Sequence, residues 1–286
     1  MSPVTDAKLL DGFTERSAVI KGRRVRWYVR GPEEGPPIVL VHGLAGAAVN
    51  WTLLAPLLAE NRRVVAVDLP GHGGSEPLAA APSLAPFADR IVRVAEAEGF
   101  MRADYVGHSL GGLVTIRLAI RRPDAVRRLV LAAAAGITSS TRVAERLLAF
   151  LGWVKPGRRI SPYWHVIADR PLLRQLVFGH WFAADPLALP RQGVAATLAH
   201  VSLHEDTGGA RRALMRDDPR SELHHVRCPA LVLWGSQDNH LPFPDAVDYA
   251  RRLRAPLRTI ADCGHLLVLE RPDACRDAIE EFLNAP

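Results

Sequence analysis

The hydrophobic positions of the chain fall into short continuous runs that alternate with longer amphipathic segments. The runs, rich in β-branched residues and leucine, lie at 36–43, 62–75, 103–109 and 126–137. The amphipathic segments, with apolar residues at helical spacing, lie at 48–60, 84–99 and 110–123. Residues 17–31 add two short alternating runs joined by a Lys-Gly pair, which indicates a hairpin. This alternation predicts an α/β fold with a mostly parallel, twisted sheet flanked by helices.

The alternation is interrupted once. Residues 138–221 contain helical segments, prolines and aromatic residues but no run typical of a strand. Strand and helix patterns then return over residues 228–284. We therefore expect one core domain formed by residues 1–137 and 222–286, with residues 138–221 inserted between two core strands as a helical cap.

The composition is typical of a soluble globular protein, with 48% hydrophobic and 23% charged residues in a chain of 286. No apolar stretch approaches the roughly 18 residues of a membrane span. The first residues lack the apolar segment of a secretory signal. The three cysteines show no C-x-x-C spacing, which favours reduced structural thiols. These observations predict a cytoplasmic protein without a membrane span.

The formal charge of +6 comes from 36 basic and 30 acidic residues. Lysine occurs only at positions 8, 21 and 155, and the arginines are scattered along the chain without a basic block. This distribution argues against a nucleic-acid partner. Histidine spacing typical of a metal site and glycine-rich phosphate loops are both missing from the sequence, so we expect neither a metal nor a cofactor.

Ser109 lies in the sequence Gly-His-Ser-Leu-Gly, between a predicted strand and a predicted helix. A glycine-rich turn could contain the same residues, but this placement is the one required of a nucleophile elbow. A tight strand-to-helix turn strains the serine backbone and projects its Oγ, while Gly107 and Gly111 avoid collisions across the turn. The N-terminus of the following helix favours a developing negative charge. We therefore predict that Ser109 is a nucleophile.

A serine nucleophile needs a general base, and the base needs an acid that orients it. His265 follows the last predicted strand, and Asp238 follows the strand before it. The order Ser, Asp, His is the one expected for this architecture. Acyl transfer also requires N–H donors for the oxyanion, which we assign to the backbone of Leu110 and Leu44.

Other reactive side chains nearby have structural interpretations. His240, two residues after Asp238, is expected to point away from the triad. Cys263, two residues before His265, is interpreted as a buried thiol at a strand end rather than a nucleophile. His108, beside the serine, is likewise expected to be structural.

The predicted cap is rich in aromatic residues. Ligands of parallel α/β sheets bind outside the carboxyl ends of the strands, and the insertion leaves the sheet at that edge, so the cap should cover the pocket. We expect one or two of its aromatic side chains to line the substrate site. The candidates are Trp153, Tyr163, Trp164, Trp181 and Phe182.

Five motifs of this chain, "HGLAG", "DLPGHGGS", "GHSLGG", "WGSQD" and "DCGH", occur in the order and at the spacing of the α/β-hydrolase superfamily. The chain resembles that superfamily over nearly its whole length, in particular the esterase-like and lipase-like members with a serine nucleophile and a helical cap. Haloalkane dehalogenases and epoxide hydrolases of this fold use aspartate where this chain has Ser109. C–C bond hydrolases usually carry a more glycine- and proline-rich oxyanion loop than "HGLAGAA".

The resemblance implies a serine hydrolase that cleaves carboxylic esters of apolar, medium-sized substrates through an acyl-enzyme, without a cofactor. Two alternatives keep the same triad: a C–C bond hydrolase and an acyltransferase. A third alternative is a hydrolase-like protein that binds a small-molecule ligand without turnover.

Overall fold

The computed structural model describes residues 10–80, 83–138, 159–179, 181–199 and 207–285. Eight strands form one sheet: β1 Thr14–Ile20, β2 Arg23–Arg30, β3 Pro37–Val41, β4 Arg63–Val67, β5 Ala103–His108, β6 Val126–Ala132, β7 Ala230–Gly235 and β8 Leu257–Ile260. Their order in the sheet is β1-β2-β4-β3-β5-β6-β7-β8.

The sheet is parallel from β4 to β8 and antiparallel at its N-terminal edge. β1 and β2 form the predicted hairpin, in which Ser17 lies opposite Arg26, and β2 pairs antiparallel with β4. The remaining neighbours are parallel. Every residue of β5 and β7 is buried, as expected for strands covered on both faces. The predicted α/β fold with a mostly parallel sheet is confirmed.

Helices flank the sheet and connect its strands. They are α1 Ala55–Leu58, α2 Ala85–Ala97, α3 Leu110–Arg121, α4 Trp164–Asp169, α5 Pro171–Phe178, α6 Arg191–Leu198, α7 Gly208–Arg216, α8 Phe243–Leu253, α9 Leu267–Glu270 and α10 Pro272–Asn284. α2 packs against α3, and α10 packs against β7 and β8. The layers of helix and sheet bury the apolar runs from which the strands were predicted.

The segment 48–60 differs from the single helix that its spacing predicts. It forms a 3₁₀ turn, Ala48–Trp51, followed by the one-turn helix α1. The Ala48 amide donates to the Asp68 carboxylate at 2.7 Å, which anchors the turn to the neighbouring loop. Pro56 has no N–H to donate to a preceding carbonyl, so a continuous helix cannot pass through it.

The described residues between β6 and β7 form α4 to α7 and contain no strand. α6 lies against the loop that follows β3: the Asn50 side-chain amide donates to the Ala196 carbonyl at 2.9 Å, and that of Gln192 donates to the Thr52 hydroxyl at 2.7 Å. α6 therefore lies next to the loop in which one oxyanion donor was predicted. Trp153 lies outside the described residues.

Candidate active site

Ser109 stands at the turn between β5 and α3, with φ 53° and ψ −118°. L-residues rarely adopt a positive φ, and holding one there costs about 1–3 kcal/mol. The Ser109 amide donates to the Ala132 carbonyl, and the Ser109 carbonyl accepts the amides of Gly112 and Ala135, all at 3.0 Å. These bonds to the next turn and to the end of β6 hold the strained backbone expected of a nucleophile elbow.

Two glycines permit this turn. A methyl group on Gly107 would overlap the backbone of Gly111, which lies across the turn as predicted. A methyl group on Gly111 would overlap the Val41 carbonyl oxygen at the end of β3. Because the opposing atoms are backbone, a side-chain rotation cannot relieve either collision. Gly107 therefore allows the turn, and Gly111 allows α3 to begin directly beside β3.

His265 and Asp238 meet beyond the ends of β8 and β7. The His265 Nδ1 lies 2.8 Å from the Asp238 Oδ2, and both side chains are almost fully buried. The Asp238 Oδ1 accepts the amides of His240 and Leu241 at 2.9 Å each. With the carboxylate fixed on both oxygens, the imidazole is held in one orientation.

The charge of Asp238 determines the tautomer of His265. Burial by itself raises the pKa of the carboxyl, but the attraction of His265 and the hydrogen bonds to Asp238 lower it below the ordinary value overall. An ionised carboxylate only accepts, so the His265 Nδ1 carries the proton and donates it. The Nε2 of His265 is then left with a lone pair, as a general base requires.

His108, the residue before the predicted nucleophile, contacts the loop of the predicted base. The His108 Nε2 lies 2.9 Å from the His265 carbonyl oxygen, and the two ring centroids are 4.9 Å apart. Burial, and then repulsion from His265, lower the pKa of His108 to about 3, so its ring is neutral and its Nε2 donates to the carbonyl. This contact brings the turn at Ser109 and the loop of His265 together.

His240 does not point away from the triad, and that prediction is wrong. Its ring centroid lies 4.6 Å from that of His265 and 5.2 Å from that of Phe182. The bonds from the His240 and Leu241 amides curl the chain around the Asp238 carboxylate, which turns the His240 ring toward His265. Cys263, by contrast, is fully buried, and burial raises the pKa of its thiol, which fits the structural interpretation.

The loop after β3 lies against Ser109, the predicted nucleophile. A methyl group on Gly43 would lie 3.1 Å from the Cβ of Ser109. His42 fixes this loop: its Nε2 accepts the Leu69 amide at 3.0 Å, so its Nδ1 carries the proton and donates to the Gly43 carbonyl at 2.8 Å. Leu44, the second predicted oxyanion donor, follows directly in this loop.

Leu110, the first predicted oxyanion donor, is the first residue of α3. The first amides of a helix have no partner within it, and the positive end of the helix dipole lies there. The chain thus brings a strained serine, a helix N-terminus and a hydrogen-bonded imidazole–carboxylate pair to one edge of the sheet.

A profile of the alpha/beta hydrolase family matches residues 38–278. The chain belongs to this family. The matched range runs from β3 into α10, and so includes the elbow and both later loops. The family resemblance that the five motifs indicate is confirmed.

The hydrolase has three curated relatives whose names denote different reactions. This chain is 30% identical to a dihydrolipoyllysine-residue acetyltransferase component of an acetoin cleaving system from Pseudomonas putida, and the match covers 95% of this chain and 70% of that protein. It is 31% identical to a 2-hydroxymuconate semialdehyde hydrolase from Pseudomonas sp. strain CF600, with 94% of this chain and 93% of that protein covered. It is also 31% identical to a pimeloyl-[acyl-carrier protein] methyl ester esterase from Aromatoleum aromaticum, with 87% of this chain and 98% of that protein covered.

The four described aromatic candidates of the hydrolase occupy different environments. Phe182 lies against His240, which in turn lies against His265. Trp164 packs against the core, with the Arg191 guanidinium over its ring at 5.4 Å. Tyr163 and Trp181 are each 61% exposed. Phe182 is therefore the described candidate that the structure links most closely to the predicted base.

Sequence reasoning missed two carboxylates that organise the loops of the hydrolase. Asp68, fully buried, accepts the amides of Ala48 and Gly74 and the Arg26 guanidinium, and so joins the loops after β3 and β4. Glu270 accepts the amides of Ala184, Gly264 and Leu266 around His265. An acidic residue within an otherwise apolar stretch, as in "HLLVLERP", is the signal that could have identified Glu270.

None of the helices in the described ranges combines the length and the apolar character needed to cross a bilayer. In the same ranges, His, Cys, Asp and Glu side chains do not converge in groups of three or more as metal ligands do.

Proposed function

We propose that this hydrolase cleaves carboxylic esters through an acyl-enzyme formed on Ser109. The observation that carries the proposal is the 2.8 Å contact between the His265 Nδ1 and the Asp238 Oδ2, beside a serine that the fold holds at positive φ. Membership of the alpha/beta hydrolase family supports hydrolysis in general. The choice of ester bonds is our inference.

The proposed reaction has two halves. The Ser109 Oγ attacks the ester carbonyl while the His265 Nε2 takes its proton, and Asp238 stabilises the imidazolium that forms. The amides of Leu110 and Leu44 bind the oxyanion. The imidazolium then protonates the departing alcohol. In the second half, His265 activates a water molecule that releases the acid from Ser109.

We further propose that residues 138–221 form the cap and that Phe182 belongs to the substrate side of the site. Phe182 is 40% exposed, and its ring contacts His240 instead of being buried in the core. An exposed phenyl ring one side chain away from the base favours an apolar acyl or alcohol group over a charged one. This arrangement supports apolar, medium-sized esters as substrates.

Two alternatives use the same triad. The relatives named as a 2-hydroxymuconate semialdehyde hydrolase and as an acetyltransferase component favour a C–C bond hydrolase or an acyltransferase. The relative named as a methyl ester esterase favours the proposal. A ligand-binding protein without turnover is the remaining possibility from another class.

A fluorophosphonate probe separates these classes. We expect it to modify Ser109, detected as a mass increase on the peptide that contains this residue, and to leave the Ser109→Ala protein unmodified. Activated esters with short, medium and long acyl chains are then assayed beside a dienone C–C substrate. Labelling with ester turnover supports the proposal, and labelling with turnover of the dienone alone favours the C–C hydrolase. A folded wild-type protein that does not label contradicts the serine mechanism.

A further inference from the structure

The carboxylate of Glu270 accepts three backbone amides around the predicted base. Its Oε2 lies 3.0 Å from the Gly264 nitrogen and 2.8 Å from the Ala184 nitrogen. Its Oε1 lies 3.1 Å from the Leu266 nitrogen. Gly264 and Leu266 are the two neighbours of His265 in the chain, so the carboxylate binds the backbone on both sides of His265.

The third amide belongs to the region between β6 and β7. Ala184 lies just after α5, and Phe182, in the same segment, accepts the amides of His265 and Leu266 at 2.8 and 3.0 Å. The two segments run so close that a methyl group on Gly264 would lie 2.7 Å from the Ala184 nitrogen. Three hydrogen bonds, two to the Phe182 carbonyl and one from the Ala184 amide to Glu270, therefore join the loop of the base to the segment Phe182–Ala184. The other two bonds, from the Gly264 and Leu266 amides, hold Glu270 to that loop.

The buried position of the Glu270 carboxylate has an electrostatic cost. Burial raises the pKa of Glu270 even though three amides and the nearby Arg271 oppose that effect. Where folding raises the pKa of a carboxyl group, ionisation of that group destabilises the folded state, because the folded state holds the proton more tightly than the unfolded chain. The three amides that the carboxylate accepts offset part of this cost of burial.

We propose that Glu270 is a positioning residue, which holds the His265 loop against the segment Phe182–Ala184 so that the inserted helices and the general base keep a fixed relation. The inference rests on the proposed function, since it assigns His265 the role of base. A displacement of about 1 Å at a reacting group can lower turnover by about 100-fold. Glu270 acts through the backbone on either side of the imidazole and does not contact the substrate.

The test compares Glu270→Gln with Glu280→Gln. Glu280 is a matched control because its carboxylate accepts the Arg62 guanidinium at 2.8 Å on α10, away from the triad. For Glu270→Gln we expect kcat on an activated ester to fall by about 10- to 100-fold at a temperature where the variant is folded, with KM within about threefold of wild type. Its Tm should be lower, because the glutamine NH₂ replaces an oxygen that accepts a backbone amide. Glu280→Gln should lower Tm while leaving kcat at the wild-type value.

Glu270→Asp provides a second variant, since it keeps the charge but shortens the reach. We expect its kcat to lie between those of wild type and Glu270→Gln, and it decides the question if the glutamine variant does not fold. A kcat within about twofold of wild type in both variants would overturn the inference. A loss of kcat that parallels the loss of Tm across the variants would also overturn the inference, because it would reflect unfolding rather than a displaced His265. A wild-type protein that neither labels with fluorophosphonate nor turns over esters overturns the proposed function itself.

Discussion

At the scale of single residues, the site depends on which nitrogen of His265 carries the proton. Asp238 fixes this because its ionised Oδ2 accepts from Nδ1 while the amides of His240 and Leu241 occupy its Oδ1. A neutral amide in the place of the carboxylate would turn an N–H toward Nδ1, which would shift the imidazole proton to Nε2. In the proposed mechanism, His265 would then be unable to take the serine proton.

We therefore expect Asp238→Asn to lower kcat by about 10³- to 10⁴-fold, a loss similar in kind to that in other serine triads. The measurement is steady-state turnover of an activated ester, with circular dichroism to show that the variant is folded. Asp248→Asn is the control, because Asp248 pairs with Arg251 and Arg252 on the exposed face of α8. Near wild-type turnover in folded Asp238→Asn would remove this carboxylate from the proposed mechanism.

The sequence predicts the proposed triad better than its surroundings. Ser109, Asp238 and His265 each follow an apolar run, and the ends of parallel strands meet at one edge, so strand order alone brings them together. Glu270 and His240 depend instead on how a loop curls. A hydrogen bond to a backbone amide, such as that from His240 to Asp238, leaves no periodic pattern in the sequence.

At the scale of elements, the elbow requires the backbones of β3, β5 and α3 to lie so close together that a residue with a side chain does not fit at the glycine positions between them. We expect Gly111→Ala to destabilise the protein by about 3 kcal/mol, because the new methyl group overlaps the Val41 carbonyl and cannot turn away. Chemical denaturation measures the change. Gly193→Ala in α6 is the control: its nearest neighbour would be 3.6 Å away, so a gain of up to about 1 kcal/mol is expected. Equal stability of the two variants would show that the close approach is not required.

The segment after α5 has two separable roles, since the backbone of Phe182 binds the His265 loop while its ring lies against His240. Phe182→Ala keeps the carbonyl and removes only the ring. We expect kcat/KM for long acyl esters to fall by about tenfold and that for acetyl esters to change little, because the remote part of the substrate contributes binding energy there.

Tyr163→Ala is the comparison for Phe182→Ala, because Tyr163 is 61% exposed and belongs to the same set of predicted aromatic residues. It should leave the ratio of kcat/KM between long and short esters within about twofold of wild type. The prediction for Phe182 fails if its ring can be removed without changing that ratio.

At the scale of the whole molecule, the two ends of the sheet have different chemistry. Ser109 lies at the carboxyl end of β5, whereas Asp104 lies near the start of that strand, about 17 Å away at the usual rise of a strand. At that far end, Arg62 is almost completely buried and bridges Asp104 and Glu280, which ties α10 to the sheet. The end with Ser109 instead contains three neighbouring imidazoles, those of His108, His240 and His265. Burial lowers the pKa of His108 and that of His240 to about 3.

These imidazoles should make the fold sensitive to acid. The pKa of His108 is lowered to about 3 by burial and by His265, whereas an unfolded chain takes up a proton near pH 6.5. Between these values only the unfolded state binds the proton, so the free energy of unfolding falls as the pH drops below about 6.5. The slope from this residue is at most about 1.4 kcal/mol per pH unit.

His108→Gln tests the origin of this slope, since a glutamine amide can still donate to the His265 carbonyl but does not titrate. Denaturant unfolding at several pH values between 5 and 7 should show a shallower dependence in the variant, by up to one proton. His224→Gln is the control, because it removes an exposed imidazole rather than a buried one. If the slopes of wild type and His108→Gln coincide, His108 is protonated to the same degree in the folded and unfolded states. The hydrogen bond from its Nε2 would then not depend on a permanently neutral ring.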